Sequence, residues 1–283
     1  SGLMFGFLRR GHGLFLENHA DTEMPIGELV RGVSHGIPED APLSLAIFLC
    51  LRGYRIIPIT DRSGNEFRGM LTSRNILDFL GGGNLHQIYL TKKDALKVHV
   101  SKVMERGIAQ VDRNDNIRSV LDIFRHTGEE ALPLMNNGKL DGIVTEIDVI
   151  RHIRKPTGVR VWELMTSKPV VARTEHPVSD VAVMIVRGGY RRLPVVREGF
   201  LTGIVGASDI LKYLHSNGKL CSLKKDRIEI EKTMNRFVES VRPEADILEA
   251  VRKMDEKGVT LLPVVDEYQL IGVISGRDVL EAM

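Results

Sequence analysis

Apolar residues recur along this chain in two alternating rhythms. Stretches with apolar positions at i, i+3, i+4 and i+7 give way to short runs that are apolar almost throughout, and this happens four times. The first rhythm falls on Leu43, Ala46, Ile47 and Cys50; on Ile117, Val120, Leu121 and Phe124; on Val178, Val181, Ala182 and Ile185; and on Ile247, Ala250, Val251 and Met254. That spacing puts one stripe on one helix face. Each stripe is followed by a proline-centred core: Ile57-Pro58-Ile59, Leu132-Pro133-Leu134, Leu193-Pro194-Val195 and Leu262-Pro263-Val264. A glycine-led run then ends in a polar turn, from Gly69 to Asn75, Gly142 to Asp148, Gly203 to Asp209 and Gly272 to Asp278. These short runs, rich in Val, Ile and Leu, predict buried strands. Turn residues between them, such as Asn136-Asn137-Gly138-Lys139 and Arg197-Glu198-Gly199, predict hairpins. Pro42 and Pro177 suit the start of a helix, and Gly53, Gly128, Gly188 and Gly258 its end. A second helix is expected after each final Asn or Asp.

The unit is therefore strand–helix–strand–strand–helix, an α/β fold in four copies over residues 25–81, 98–155, 159–215 and 230–283. Such a unit cannot bury its apolar face alone, so function is expected between copies. Long connections run over 81–97 and 215–232, and adjacency pairs copy one with two and three with four. Residues 1–24 read as an N-terminal arm, either mobile or an interaction helix. Its apolar start precedes Arg9 and Arg10, the wrong order for a secretory signal.

Composition narrows the function classes. A hydrophobic fraction of 43% supplies a core, and a net charge of +2 is too small for bulk nucleic-acid binding. No run of about 18 apolar residues predicts a membrane span. Cys50 and Cys221 form no framework, which fits a reducing cytoplasm. The nine histidines show no metal-ligand spacing, and there is no Gly-x-Ser-x-Gly elbow or Walker loop.

A proline core followed by Gly-hydrophobic-hydrophobic-Ser/Thr-x-x-Asp resembles the CBS domain, in four copies from about residue 25 to 283. The resemblance implies that the copies pair into two Bateman modules forming a disc, with ligand clefts between copies. Four such copies resemble the gamma subunit of AMP-activated protein kinase and archaeal proteins of like architecture. This implies a non-enzymatic sensor of AMP, ADP or ATP that acts on a partner, a kinase or metabolic enzyme, with no catalytic cofactor. A homodimer is compatible with it. The turn chemistry agrees. A carboxylate accepts hydrogen bonds from a ribose cis-diol, the hydroxyl three residues earlier can donate to phosphate, and the next helix presents free N–H groups. The alternative is that hydroxyl and acid only cap the helix.

In the resembled family the acid of one copy works with residues before the partner's proline core, which ranks four clefts. The first joins Asp278, Ser275 and Arg277 to Tyr190, Arg191 and Arg192, with Val170 at an adenine-wall position. The second joins Asp148 and Thr145 to Tyr54 and Arg55, with Ser34 and His35 near the base. The third has Asp209, but Gly206 replaces the hydroxyl and the partner's Thr260 and Leu261 bring no cation, so weak phosphate binding is expected. In the fourth, Asn75 replaces the acid and Glu129 and Glu130 repel phosphate, so no polyphosphate is expected. Competing readings keep the clefts for S-adenosylmethionine or a related adenosyl ligand, or make the chain a nucleic-acid binder or scaffold through Lys92-Lys93, Arg151 to Lys155 and Lys224-Lys225. Aromatic residues at 5% offer few stacking platforms for the latter.

Overall fold

The four stripes are helices, and their apolar positions form the core. The computed structural model describes residues 21–30, 36–83 and 95–283. Ser34, His35, Lys92, Lys93 and residues 1–20 of the arm lie outside them. Copy one runs β1 (Ile37–Pro38), α1 (Leu43–Leu51), β2 (Ile56–Thr60), β3 (Phe67–Thr72) and α2 (Ser73–Leu77). Copy two runs β4 (Val111–Asp112), α3 (Ile117–Thr127), β5 (Ala131–Asn136), β6 (Lys139–Thr145) and α4 (Glu146–Ile150). Copy three opens with α5 (Val161–Leu164) and β7 (Thr166–Ser167). It continues through β8 (Ala172–Arg173), α6 (Val178–Gly188), β9 (Arg192–Arg197), β10 (Phe200–Gly206) and α7 (Ala207–Ser216). Copy four has α8 (Ile247–Lys257), β11 (Leu261–Asp266), β12 (Gln269–Ser275) and α9 (Gly276–Ala282).

Within each copy the proline-core strand pairs antiparallel with the glycine-led strand, and a short first strand pairs parallel with it in copies one to three. Copy four keeps only a single parallel bridge between Val241 and Val264. Pro243 follows two residues later and has no N–H to extend the ladder. Three helix boundaries shift by one position. Pro42 and Pro177 stand just before the first helical residue, and the left-handed residue ending α6 is Gly189 (φ 67°), not Gly188. No helix among the described residues is long and apolar enough to cross a membrane.

Adjacent copies pair by exchanging their leading segments. Ile26 sits fully buried in the core of copy two, with its N–H on Asp115 O at 2.7 Å, while Val100 fills the core of copy one, where Leu43 N–H donates to Val98 O at 2.7 Å. The second pair repeats this. Val161 N–H donates to Ala245 O at 2.9 Å in copy four, and Val178 N–H of copy three donates to Ile228 O at 2.8 Å. Asp246 clasps that join: it caps α8 through Leu248 N–H at 2.9 Å and accepts the N–H groups of Thr157 and Gly158 at 3.0 and 2.7 Å. Burial pushes its pKa up, but these donors outweigh it and hold the carboxyl below its ordinary range.

The exchange explains the glycine within the second hairpin strand of copies one, three and four. A Cβ on Gly203 would lie 2.4 Å from Met234 Sδ and 3.0 Å from Asn235 O. On Gly69 it would meet Glu105 O at 2.3 Å, and on Gly272 it would meet Met165 Sδ at 2.7 Å. Only glycine lets the partner's leader lie flat on the strand.

The two pairs then join through their helices. One core contains α1, α2, α6 and α7 from copies one and three; the other contains α3, α4, α8 and α9 from copies two and four. Neither core belongs to a single pair. The starts of the second helices, where the polar turns stand, are thereby drawn together between the pairs.

Candidate functional site

The turns themselves come first. In three copies the hydroxyl donates to the acid or amide of its own turn: Thr72 to Asn75 at 2.7 Å, Thr145 to Asp148 at 2.7 Å and Ser275 to Asp278 at 2.6 Å. The backbone N–H of the same residue donates to the same oxygen, and the N–H three residues on returns a bond to the hydroxyl. These are closed capping boxes. The hydroxyl protons of Thr145 and Ser275, expected to face phosphate, are used locally. Asp148 is further engaged by Arg151, whose guanidinium also reaches Leu29 O and lies 3.5 Å from Asp255. In copy three the cap is a single bond, Gly206 N–H to Asp209 at 2.8 Å.

The arginines depart further from expectation. Arg191 was expected opposite Asp278; it instead pairs with Glu146 and lies 3.4 Å from Glu130, both from copy two. Arg277 has Nε 2.6 Å from the same Glu146 and donates to Phe124 O at 2.6 Å and to Glu129 O. Arg74 pairs with Glu130 at 2.7 Å and donates to Gly189 O at 3.0 Å. The chain Arg74–Glu130–Arg191–Glu146–Arg277 thus links all four copies. Burial would lower the Arg191 pKa, but Glu146 and Glu130 outweigh it and hold the guanidinium charged.

Two cavities flank this chain of charges. The first, about 700 Å³ counted to its open mouth, is lined by Arg55, Ile56, Thr145, Tyr190, Arg192 and Asp209 among others, with Arg191 and Glu146 in its wall. It lies between the two pairs. Arg55 comes from copy one, and Arg192 and Asp209 from copy three. Burial lowers the Arg55 pKa, the neighbouring Arg192 adds to this, and Asp209 opposes it. Arg55 also donates to Gly258 O of copy four at 3.4 Å. The second cavity, about 1000 Å³, is lined by Ser275, Arg277, Tyr190, Arg191 and Arg192 and by Glu105, Glu129 and Glu130. Burial raises the Glu129 pKa, as do Glu105 and Glu130. Arg74 there is held by Glu130, and Asn75 Nδ2 donates to Glu105 at 2.7 Å.

The structure therefore brings Tyr190, Arg192, Asp209 and Arg55 together, with Thr145 beside them. It does not bring Asp148 or Asp278 into the lining of either cavity. Tyr54 and Val170, at 58% and 44% exposure, line neither. Of the two cations beside Asp209, Arg192 comes from its own copy and Arg55 from the opposite pair, which copy-by-copy pairing cannot reveal. Glu146 was overlooked. Its signal was positional: aligned residues in the other copies are Ser73, Ala207 and Gly276, all small. Among the described residues no His, Cys, Asp and Glu cluster could hold a metal ion.

The repeats, the hairpins and the turns belong to one class of protein. A CBS-domain model matches residues 26–82, 100–155, 161–216 and 228–283, and the chain belongs to the CBS-domain family. It is 30% identical over 244 residues to an uncharacterized protein, MJ1225, of Methanocaldococcus jannaschii, covering 81% of this chain and 87% of that one. The crystal structure of MJ1225, described as a candidate archaeal homologue of γ-AMPK, superposes with a TM-score of 0.83 at 26% identity, covering 91% and 99% of the two chains. A protein of Thermofilum pendens, of 33.4 kDa, is 27% identical over 239 residues, covering 80% and 79%.

Proposed function

We propose that this chain is a regulatory protein that binds an adenine nucleotide, AMP, ADP or ATP, in the cavity between its two CBS pairs. The observation that supports this most directly is the meeting of Asp209 with Arg55 and Arg192 in one cavity. The Asp209 carboxylate suits ribose hydroxyls, the two guanidinium groups suit a phosphate, and Ile56 and Tyr190 offer flat or apolar surface to a purine. The likeness to MJ1225, described as a candidate archaeal homologue of γ-AMPK, supports a regulatory role. A nucleotide held by both pairs biases how they sit against each other, and a regulated partner, a kinase or metabolic enzyme, reads that bias. In this reading the chain performs no chemistry itself and works in the cytoplasm. Ser275, Arg277 and Tyr190 border a second ligand position, while Asp148 and Asp278 act as helix caps.

Calorimetric titration of the purified chain with AMP, ADP, ATP and S-adenosylmethionine tests this. Charge-assisted hydrogen bonds contribute about 1.5–3 kcal/mol, so Asp209→Ala and Arg192→Ala should each weaken nucleotide binding about tenfold or more, with the melting temperature of ligand-free protein nearly unchanged. Variants that titrate like the parent, or an S-adenosylmethionine affinity above that of every nucleotide, sink the proposal.

A further inference from the structure

Glu146 is 1% exposed and lies between two guanidinium groups contributed by the opposite pair, Arg191 of copy three and Arg277 of copy four. Nothing in the repeat requires an acid there. The aligned Ser73, Ala207 and Gly276 carry no charge and do the same work of opening the second helix. A buried carboxylate is tolerated only when paired, and the two arginines supply that pairing.

Glu146 also stands in the wall of the first cavity, Arg277 lines the second, and Arg191 and Glu130 line both. The charges of the first cavity can then be balanced pair by pair. Its lining holds Arg55, Arg74, Arg191 and Arg192 against Glu130, Glu146 and Asp209. Arg74 is matched by Glu130 and Arg191 by Glu146. That leaves Arg55 and Arg192 beside Asp209, a surplus of one positive charge. One phosphate suits that surplus; each further phosphate requires a cation that Glu146 already occupies.

We propose that Glu146 is a specificity-determining residue: its carboxylate withholds Arg191 from a ligand in the first cavity and Arg277 from one in the second, so that the first cavity favours a single phosphate over a polyphosphate chain. The nucleotide part of this rests on the function proposed above. The anion-blocking part does not, and inorganic pyrophosphate probes it separately.

The test compares the full-length parent, Glu146→Gln, Glu146→Asp and the double variant Glu146→Gln/Arg191→Met, each titrated with AMP, ATP and pyrophosphate. Glu146→Gln should bind pyrophosphate and ATP at least tenfold tighter than the parent, with AMP altered less than threefold. Glu146→Asp, which keeps the charge, should retain the parent's order, and the double variant should lose the gain. Should Glu146→Gln be too unstable to handle alone, pyrophosphate should restore its melting temperature saturably while leaving the parent's unmoved. An unchanged ATP-to-AMP ratio with no gain for pyrophosphate, or a Glu146→Gln protein that pyrophosphate does not rescue, overturns the proposal. A gain for pyrophosphate in a protein whose parent binds no adenine nucleotide upholds the block by Glu146 and defeats the nucleotide reading instead.

Discussion

Cys50 and Arg191 show how one residue's chemistry is set by what surrounds it. Cys50 completes the buried stripe of α1 at 1% exposure, and desolvation pushes its thiol up to about 12. The thiolate is then nearly absent at neutral pH. Under native conditions a thiol reagent should label the half-buried Cys221 while Cys50 stays unmodified until the protein unfolds; mass spectrometry of tryptic peptides reads the result, and early labelling of Cys50 contradicts the packing. Arg191 has the opposite fate. It remains charged while buried because Glu146 and Glu130 face it. Its sequence context, Tyr190-Arg191-Arg192-Leu193-Pro194, gave no sign which of the two arginines turns inward. Both line the cavities, but the guanidinium of Arg191 is taken up by the acids of copy two.

At the scale of elements, the glycine within the second hairpin strand of copy three carries two duties. It marks a register shift in the hairpin of copy three, between Leu201 and Gly203, and it admits the leader of the partner copy. Gly203→Ala should cost about 1–3 kcal/mol, the usual range for overpacking a filled site, because both Met234 and the backbone at Asn235 must retreat. Chemical denaturation of the variant checks this, and a midpoint equal to the parent's refutes the close approach. Gly53, at a helix end where nothing lies within 4 Å of its would-be Cβ, owes its place to φ +100° instead. The glycine pattern was legible from the chain as punctuation, but its steric reason was not, since in copies one, three and four the leader that presses on the strand comes from another copy.

For the whole molecule the decisive feature is that each core combines helices of both pairs. Buried apolar side chains contribute about 1.5–3 kcal/mol apiece, so splitting the pairs exposes both cores at once. Unfolding by urea should therefore be one cooperative transition, coincident by far-ultraviolet circular dichroism and by Trp162 fluorescence. Two separated transitions would mean that the pairs are independent bodies, and a ligand between them would lose its lever. The same mixing puts Arg55 beside Arg192 and Asp209 and threads the arginine–glutamate chain through all four copies.

The order of hydrophobic and polar residues was enough for the repeat and its strand–helix–strand–strand–helix unit; the caps at Thr145 and Ser275 were the alternative to a phosphate contact, and the pairing of neighbours rested on adjacency in the chain. All of these depend on periodicity and on contacts a few residues apart, or on copies adjacent in the chain. Which copy's arginine meets which copy's acid depended on how the two pairs dock, a matter of helix faces that are apolar in every copy and so do not name their partners. Only the tertiary structure, by packing copy one on three and copy two on four, decided that Asp209 would gain cations and that Arg191 and Arg277 would close around Glu146. A guanidinium at the end of a long side chain reaches whichever carboxylate the packing brings near.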